Sequence, residues 1–204
     1  MAKSKVREIL KSNDTPKEKF DYLWGYYRWH VIIATLGLLL FGFMTYDFIN
    51  RPVPYFHVSV LSPEIDPEEE EALAIELEEL LQPEGKNESI FVTFTPYGQL
   101  AERFVAQLSA AEYDLILMDE QSYRQYADFG TMQEFDILEL SEEDLHRTDI
   151  YDNTMAMETN QIPLFTEFDT TSDLYLMIPS NAQRKETIVD FFETQGYTIE
   201  LIDS

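Results

Sequence analysis

The stretch "YDLILMD", residues 113 to 119, lies at the centre of the architecture that the sequence predicts. Leu115 to Met118 form an unbroken apolar run that ends at a carboxylate, Asp119. A strand that is covered on both faces carries such a run, because neither of its faces meets water. A run this short favours a strand over a helix. The stretch therefore predicts a central parallel strand with helices on both sides of the sheet.

Strands and helices alternate around this central strand. "FHVSVL" (56–61) and "SIFVTFTP" (89–96) are rich in β-branched and aromatic residues, which favours strands. Apolar residues at helical spacing predict three helices, at residues 67–81, 99–111 and 120–130. Strand, helix and strand in this order, with short connections, are typical of a parallel sheet with right-handed crossovers.

The most acidic run of the chain, Glu68 to Glu71, begins the first of these helices. Negative charge is favourable there because the helix dipole is positive at its amino terminus. We prefer this interpretation to a metal site, because consecutive acids on a helix point in different directions and lack the alternating spacing of a calcium loop.

The residues after 130 follow the alternation less regularly. Three segments have the composition of strands: "IPLFTEF" (162–168), "DLYLMIP" (173–179) and "YTIELI" (197–202). "SEEDLHR" (141–147) predicts a polar helix capped by Ser141. Ser180 and Gln183 predict a capping box for a last helix, which ends at Gly196.

An uncharged run lies near the amino terminus. Trp29 to Tyr46 are eighteen residues without Asp, Glu, Lys or Arg, close to the roughly 20 residues that a helix needs to cross a hydrocarbon core. Aromatic residues lie at both ends of this run, in "WGYYRWH" (24–30) and from Phe43 to Phe48. Because these rings follow the edges of the run, we interpret them as the aromatic belts of a membrane span rather than as a cation-binding cage.

Basic residues predict the orientation of this span. Those near the run are Lys11, Lys17, Lys19 and Arg28 before it and Arg51 after it. The positive-inside rule therefore places the amino terminus in the cytoplasm and the rest of the chain outside the cell membrane. A cleaved signal peptide is the alternative, but its apolar core is about 7 to 15 residues and ends in a small-residue site. "FMTYDFINR" (43–51) lacks such a site, which favours an uncleaved signal anchor.

Three parts follow from these patterns. Residues 1–15 are predicted to be a cytoplasmic tail, either a short basic helix on anionic lipid or a solvated segment. Residues 16–50 are predicted to be an amphipathic plus transmembrane helix that begins at Thr15-Pro16. Its amphipathic part either lies in the inner interface or continues straight into the bilayer. Residues 51–204 are predicted to be one extracytoplasmic α/β domain with a mostly parallel sheet.

The charge of the chain is distributed very unevenly. The net charge is -25, and residues 51–204 hold thirty-four acids against seven basic residues. Such a domain repels nucleic acid and an anionic membrane surface, so we expect neither as its partner. A cationic ligand or a basic protein partner stays open, beside the simpler interpretation of a solvated surface suited to a salty or alkaline exterior.

Motifs for catalysis are absent from the sequence. It contains no H-E-x-x-H, G-x-S-x-G or G-x-G-x-x-G motif and no cysteine. Its three histidines are dispersed, with His30 at the membrane edge, His57 in a predicted strand and His146 in a predicted polar helix. We therefore predict a protein that is not an enzyme and has no catalytic residue, bound metal or cofactor.

The order of these segments resembles a known family. "FHVSVLS", "FVTFTPYG", "YDLILMDEQSYRQYADFGTMQEFD" and "DLYLMIPSNAQRKETIVDFFE" are similar to the bacterial extracellular solute-binding proteins of the type II periplasmic-binding class. The resemblance covers roughly residues 56–196 and implies a ligand-binding α/β fold. The segment "YLWGYYRWH" (22–30) with the following span also resembles small membrane proteins of Gram-positive bacteria. Because residues 51–204 suffice for only one lobe, a ligand clamped between two lobes is not expected.

The predicted strands locate a candidate site. Ligands of open parallel sheets bind beyond the carboxyl ends of the strands. The residues that follow the first three strands and carry hydroxyl or carboxylate groups are Ser62, Thr95, Tyr97, Asp119 and Glu120. We predict that they converge on one edge and suit a small polar or cationic ligand. The alternative is that each only caps the helix that follows it.

Three functions fit these observations. The first, which we favour, is a membrane-anchored binding or sensing module that contacts a small polar ligand or an envelope protein. The second is a structural or assembly partner of a membrane complex that binds no ligand. The third is a carboxylate-dependent hydrolase. A deep polar pocket would favour the first, a flat apolar patch the second, and two buried carboxylates across a cleft the third.

Overall fold

The computed structural model describes residues 15–63, 65–98, 101–141, 143–148 and 154–202. The chain divides between Arg51 and Pro52 into two compact units. The predicted tail lies outside the described residues except for Thr15. Gln99 and Leu100, the first two residues of the helix predicted at 99–111, also lie outside them.

The first unit contains one helix, α1 (Pro16–Ile49). It begins as predicted, with Pro16 at its first turn and Thr15 as its N-cap. Glu18 completes a capping box, because its carboxylate accepts a hydrogen bond from the Thr15 amide at 2.9 Å. The amphipathic stretch and the uncharged run therefore form one continuous helix.

The helix α1 exposes a long apolar surface. Residues Leu23–Ile49 are long and apolar enough to cross a membrane by length and composition. Large side chains are open to solvent along this stretch, for example Leu38 at 73% and Phe48 at 75% exposure. The first unit is thus compatible with a single membrane span or signal anchor.

The second unit is mixed α/β. Its helices are α2 (Pro67–Leu81), α3 (Ala101–Ser109), α4 (Glu120–Asp128), α5 (Pro163–Thr166) and α6 (Lys185–Thr194). Its strands are β1 (Val53–Ser62), β2 (Glu88–Pro96), β3 (Leu115–Met118), β4 (Glu134–Ile137), β5 (Leu145–His146), β6 (Ala156–Glu158), β7 (Tyr175–Met177) and β8 (Ile199–Ile202).

Six strands form the main sheet in the order β2-β1-β3-β7-β6-β5. The two longest strands, β1 and β2, are parallel to each other, and β3 is parallel to β1. The strands β7, β6 and β5 then continue the sheet in antiparallel pairing. The parallel prediction therefore holds for the first three strands, and β7 is an antiparallel neighbour of β3. The last strand, β8, pairs with β4 in a separate antiparallel ribbon.

Two apolar layers cover the two faces of this sheet. Phe56, Val58 and Val60 of β1 belong to the layer that contains Leu73 of α2 and Phe191 of α6. The next residue of β1, Leu61, belongs to the layer on the opposite face, which α3 and α4 supply with residues such as Phe104 and Tyr123. The four residues of β3 are buried between both layers, as the apolar run predicts.

Several predictions for short segments are wrong. Residues 163–166 form the helix α5 with Pro163 in its first turn, and Thr171 donates its hydroxyl to the Phe165 carbonyl at 2.7 Å. Within the predicted polar helix at 141–147, the described residues Glu143 and Asp144 form a turn that is followed by β5, in which His146 pairs with Ala156. Both segments are too short for apolar periodicity to separate a helix from a strand.

The helix α6 begins later than predicted. Its N-cap is Arg184, with no side-chain capping bond, so the predicted capping box of Ser180 and Gln183 does not form. The Arg184 guanidinium instead binds Asp114 at 2.7 Å. In α3, Phe104 and Leu108 are buried, whereas Val105 is 45% exposed.

Candidate functional site

The carboxyl ends of β1 and β2 lie side by side, as the parallel register requires. Leu61 of β1 is opposite Thr95 of β2, and Ser62 is opposite Pro96. Ser62 and Thr95 are both buried, at 8% and 7% exposure. Two of the five predicted site residues are therefore neighbours that present little surface to a ligand.

Tyr97 ties together the ends of β1 and β3. Its hydroxyl donates to the Leu61 carbonyl at 3.1 Å and accepts from the Asp119 amide at 3.3 Å. Partial burial, reinforced by the neighbouring Asp119, raises the pKa of Tyr97 to about 12. The phenol therefore stays neutral at physiological pH and acts as a hydrogen-bonding tether.

Asp119 caps the helix α4. Its Oδ1 accepts a hydrogen bond from the Ser122 amide at 2.8 Å. Partial burial works against ionisation, but hydrogen bonds with Tyr97 and Ser122 outweigh it and hold the pKa of Asp119 below its usual value. This carboxylate is thus charged at neutral pH and already has partners within the protein.

Glu120 is paired on the surface of α4. Its Oε1 accepts from Arg124 Nη2 at 2.8 Å, and both side chains are more than half exposed. Of the five predicted residues, the structure joins Tyr97 to Asp119 directly and places Ser62 and Thr95 one register position apart on adjacent strands. It directs the carboxylate of Glu120 to Arg124.

A small cavity opens beside Ser62. It has a volume of about 290 Å³, and its lining residues are Ser62, Pro63, Asp169, Thr170, Asp173 and Leu174. The Glu69 carboxylate of α2 fixes this loop, because it accepts from the amides of Asp169 and Thr170 at 3.0 and 2.9 Å. Sequence reasoning missed this loop because its polar, irregular composition predicts neither a strand nor a helix.

Aromatic rings continue the same edge on the antiparallel side of the sheet. Tyr175 pairs with Met118 at the end of β3, and its ring stacks on Tyr123 at 5.4 Å. The His146 ring also contacts Tyr175, edge-on, with 4.8 Å between the ring centroids. Its Nε2 lies 3.2 Å from Glu158 Oε1 without the angles of a hydrogen bond. The row of side chains at the carboxyl ends of the parallel strands, which we call the strand-end edge, therefore continues from Tyr97 to His146.

A second, more apolar groove lies between α3 and α4. It has a volume of about 500 Å³ and is lined by Val105, Leu108, Ser109, Gln125, Tyr126, Phe129, Gly130, Thr131, Ser180 and Asn181. Phe129 projects there with 70% of its surface exposed. Asn181 fixes one wall, because its Nδ2 donates to the Leu108 carbonyl at 2.8 Å. The groove suits an apolar or amphipathic segment better than a small polar ligand.

A buried ionic network lies at the amino end of β3. Asp114 is fully buried, and its Oδ2 accepts from Arg184 Nε at 2.7 Å and from the His57 amide at 2.8 Å. Arg184 also donates from Nη2 to the Glu112 carbonyl at 2.7 Å. Burial raises the pKa of Asp114, although the Arg184 guanidinium opposes this effect.

His57 is neutral within this network. Its Nδ1 lies 3.1 Å from the Glu112 carbonyl and its Nε2 lies 3.1 Å from the Thr93 hydroxyl. A carbonyl only accepts, so Nδ1 carries the proton and Nε2 accepts from Thr93. Burial lowers the pKa of His57 to about 4. His57 lies in a strand, β1, as the sequence predicts.

Asp114 and Arg184 were missed by the sequence analysis, although two signals pointed to them. Asp114 directly precedes the most buried strand, where an acid needs a partner. Arg184 is one of only seven basic residues in 51–204. Among the described residues, no group of three or more His, Cys, Asp or Glu side chains is arranged to hold a metal ion.

No known protein family matches this chain, and neither a curated protein nor a solved structure is significantly similar to it.

Proposed function

We propose that this protein is a single-pass, membrane-anchored binding or sensing module of a Gram-positive cell. The amino terminus lies in the cytoplasm, and the α/β unit lies outside the membrane and contacts a small polar ligand or an envelope protein. The module binds rather than catalyses. The observation that carries this proposal is the exposed apolar helix Leu23–Ile49, joined to a unit that has its own two-layered core.

The anchor is supported by the chemistry of α1. An apolar helix surface of this length is unfavourable in water but is matched by a bilayer. Arg28 lies 5.7 Å from the ring of Trp29, a pairing suited to the headgroup region at the end of a span. The excess of basic residues before the run supports the cytoplasmic amino terminus.

Ligand binding is proposed at the strand-end edge. The cavity beside Ser62 has Asp169 and Asp173 in its lining, which favours a polar or cationic ligand over an anionic one. A ligand in this cavity would contact the carboxyl end of β1 and the loop whose Asp169 amide binds Glu69. This arrangement requires only one α/β lobe.

The proposed topology is tested by proteolysis of cells stripped of their wall. We expect added protease to cut residues 51–204 and to leave a protected fragment that contains the span. Antibodies against tags at each end identify the fragment. Protection of the carboxyl-terminal unit with digestion of the first 28 residues would contradict the orientation.

The proposed site is tested by the double substitution Tyr97→Phe and Asp119→Asn in the intact protein in its own cell. We expect lost function with a fall in the free energy of unfolding of no more than about 2 kcal/mol, since Asn is also a good N-cap and the two lost phenol hydrogen bonds are worth about 1 kcal/mol each. If function survives while the melting temperature falls, these residues are scaffold and the protein works through another surface.

A second candidate function, an assembly partner without a ligand, is favoured by the groove between α3 and α4. Its apolar lining and the exposed Phe129 resemble a protein contact surface. Phe129→Ser tests this candidate, with Leu138→Ser as a matched control because both side chains are 70% exposed. Loss of function only in the Phe129 variant would favour assembly over ligand binding.

A hydrolase is the least supported candidate. Two buried carboxylates facing across a cleft would support it. Asp114 is the one buried carboxylate among the described residues, and it is paired with Arg184.

A further inference from the structure

The strand β2 forms one edge of the six-stranded sheet. Its partner is β1 on one side, and in the described part of the chain no strand pairs with its other side. Residues 88–93 are half-exposed, whereas Phe94 and Thr95 are buried. The Glu88 amide donates to the Gly85 carbonyl at 3.1 Å, so the open part of this edge is the middle of the strand, residues 89–93.

One hydrogen bond reveals which backbone groups face outward. The Phe94 amide donates to Glu70 Oε2 of α2 at 3.3 Å, so it points away from β1. Backbone groups alternate in direction along a strand, and the N–H and C=O of one residue point to the same side. The N–H and C=O groups of Ile90 and Val92 therefore also point outward, toward the open edge.

This edge has few of the features that normally prevent pairing with another chain, because the one register irregularity of the β1–β2 pair lies on β1, between Pro54 and Phe56. Edge strands are usually protected by a lysine, a proline, a bulge or a covering element. The segment Ser89–Thr93, "SIFVT", has no charge and no proline. Glu70 covers only the Phe94 end. The segment is thus a free template for one more strand.

The negative charge around this edge indicates which kind of segment can bind there. The helix α2 packs against β2 and carries seven glutamates and no basic residue. The strand itself has one charged residue, Glu88. A second copy of the chain would bring the same acids opposite each other, which is unfavourable. A basic segment would be attracted instead.

We propose that the free edge of β2 binds an extended, positively charged segment of a partner protein, which adds a strand beside β2. The main-chain groups of Ile90 and Val92 provide the pairing, and the glutamates of α2 provide the preference for basic side chains. The proposal goes beyond the membrane-anchored function, because it depends neither on the side of the membrane nor on the strand-end site.

The test uses the full chain in detergent micelles and three labelled eight-residue peptides. The first alternates Lys and Val, the second has the same side chains with every amide N-methylated, and the third alternates Glu and Val. We expect the first to bind at least tenfold more tightly than either of the others by fluorescence anisotropy. We also expect it to slow hydrogen exchange at the amides of Ile90 and Val92 at least tenfold.

A charge placed on the edge provides the variant test. Val92→Lys repels the basic peptide from the edge, whereas Leu138→Lys adds the same charge at a position that is 70% exposed, next to the ribbon of β4 and β8. We expect at least tenfold weaker binding in the first variant and no change in the second, with thermal stability measured for both. The N-methylated peptide tests the proposal on the unmodified chain even if Val92→Lys impairs folding.

Three results would overturn the proposal. Equal binding of the N-methylated peptide would mean that surface charge alone attracts the peptide. Unchanged exchange at Ile90 and Val92 would place the peptide elsewhere. Self-association that Val92→Lys abolishes, without peptide binding, would identify a second copy as the occupant. None of these results bears on the membrane topology, which the proteolysis experiment tests separately.

Discussion

The imidazole of His57 has a hydrogen-bond partner at each ring nitrogen, and burial favours its neutral form. The Glu112 carbonyl accepts at Nδ1, and the Thr93 hydroxyl lies at Nε2. A second proton would have to be accommodated in a buried position beside the Arg184 guanidinium, which also disfavours it. His57 therefore links the stability of the unit to pH.

We predict that His57 destabilises the fold as the pH falls from about 6.5 to about 4. Its pKa is lowered to about 4 in the folded protein from 6.5, so the unfolded chain binds more protons in that window. The free energy of unfolding should fall by about 3 kcal/mol through this residue alone. Urea unfolding of the native chain and of His57→Gln at several pH values measures the difference.

In the His57→Gln variant, the pH dependence of stability that His57 causes should disappear. This holds whatever effect the substitution has on stability at pH 7. Acidic residues titrate in both proteins and cancel in the comparison. Asp114 has a raised pKa, so its own effect has the opposite sign and favours the fold at low pH. Parallel stability curves for the two proteins between pH 4 and 7 would refute the prediction.

At the scale of elements, two helices begin in the same way and allow a matched comparison. Asp66 caps α2 by accepting from the Glu68 amide at 2.9 Å, and Asp119 caps α4 by accepting from Ser122 at 2.8 Å. We predict that alanine at either position lowers the free energy of unfolding by about 1 kcal/mol. Thermal or urea unfolding measures both losses.

The two capping residues, Asp66 and Asp119, differ in their surroundings. A comparison of their alanine variants therefore distinguishes an effect on stability from an effect on function. Asp119 lies at the candidate site and also has Tyr97 beside it, so its loss should reduce function in addition to stability. Asp66→Ala should reduce stability alone. Equal functional loss in both variants would attribute the effect to helix stability rather than to a site at the strand ends.

The sequence predicts long elements better than their pairing. The helix at Pro67–Leu81 has its predicted bounds, because leucines repeat there over four turns. The antiparallel direction of β7 is not encoded in "DLYLMIP", since a strand covered on both faces has the same composition in either direction. The pair of Asp114 and Arg184 joins residues that are distant in sequence, so no local pattern predicts it.

At the scale of the whole molecule, the division at Arg51 and Pro52 predicts that residues 51–204 fold alone. Both apolar layers belong to this unit, so the shortened chain should be soluble and unfold in one cooperative transition, with a free energy on the order of 5–15 kcal/mol. Both tryptophans, Trp24 and Trp29, lie in the first unit, so near-UV and far-UV circular dichroism are the suitable probes.

Coincident transitions by the two probes would support an independent domain. A product with native helix content but no near-UV signal would instead mean that its core needs the membrane helix or a partner. The full chain in micelles is the control, because its carboxyl-terminal unit should unfold with the same midpoint if the two units are independent.

The strand order also sets how fast the molecule can fold. The strands β1 and β2 are joined by one helix, but β3 gains its neighbours from residues far away on both sides, since Val58 pairs with Leu115 and Ile116 with Met177. Such long loops must close before any contact compensates for the lost entropy. Folding is therefore slowed to the range of milliseconds to seconds, on the order seen for non-local topologies. During that interval both edges of the uncharged β2 segment "SIFVT" (89–93) are unpaired and open to other chains. Dilution, and a basic peptide that pairs with β2, should therefore each raise the refolding yield.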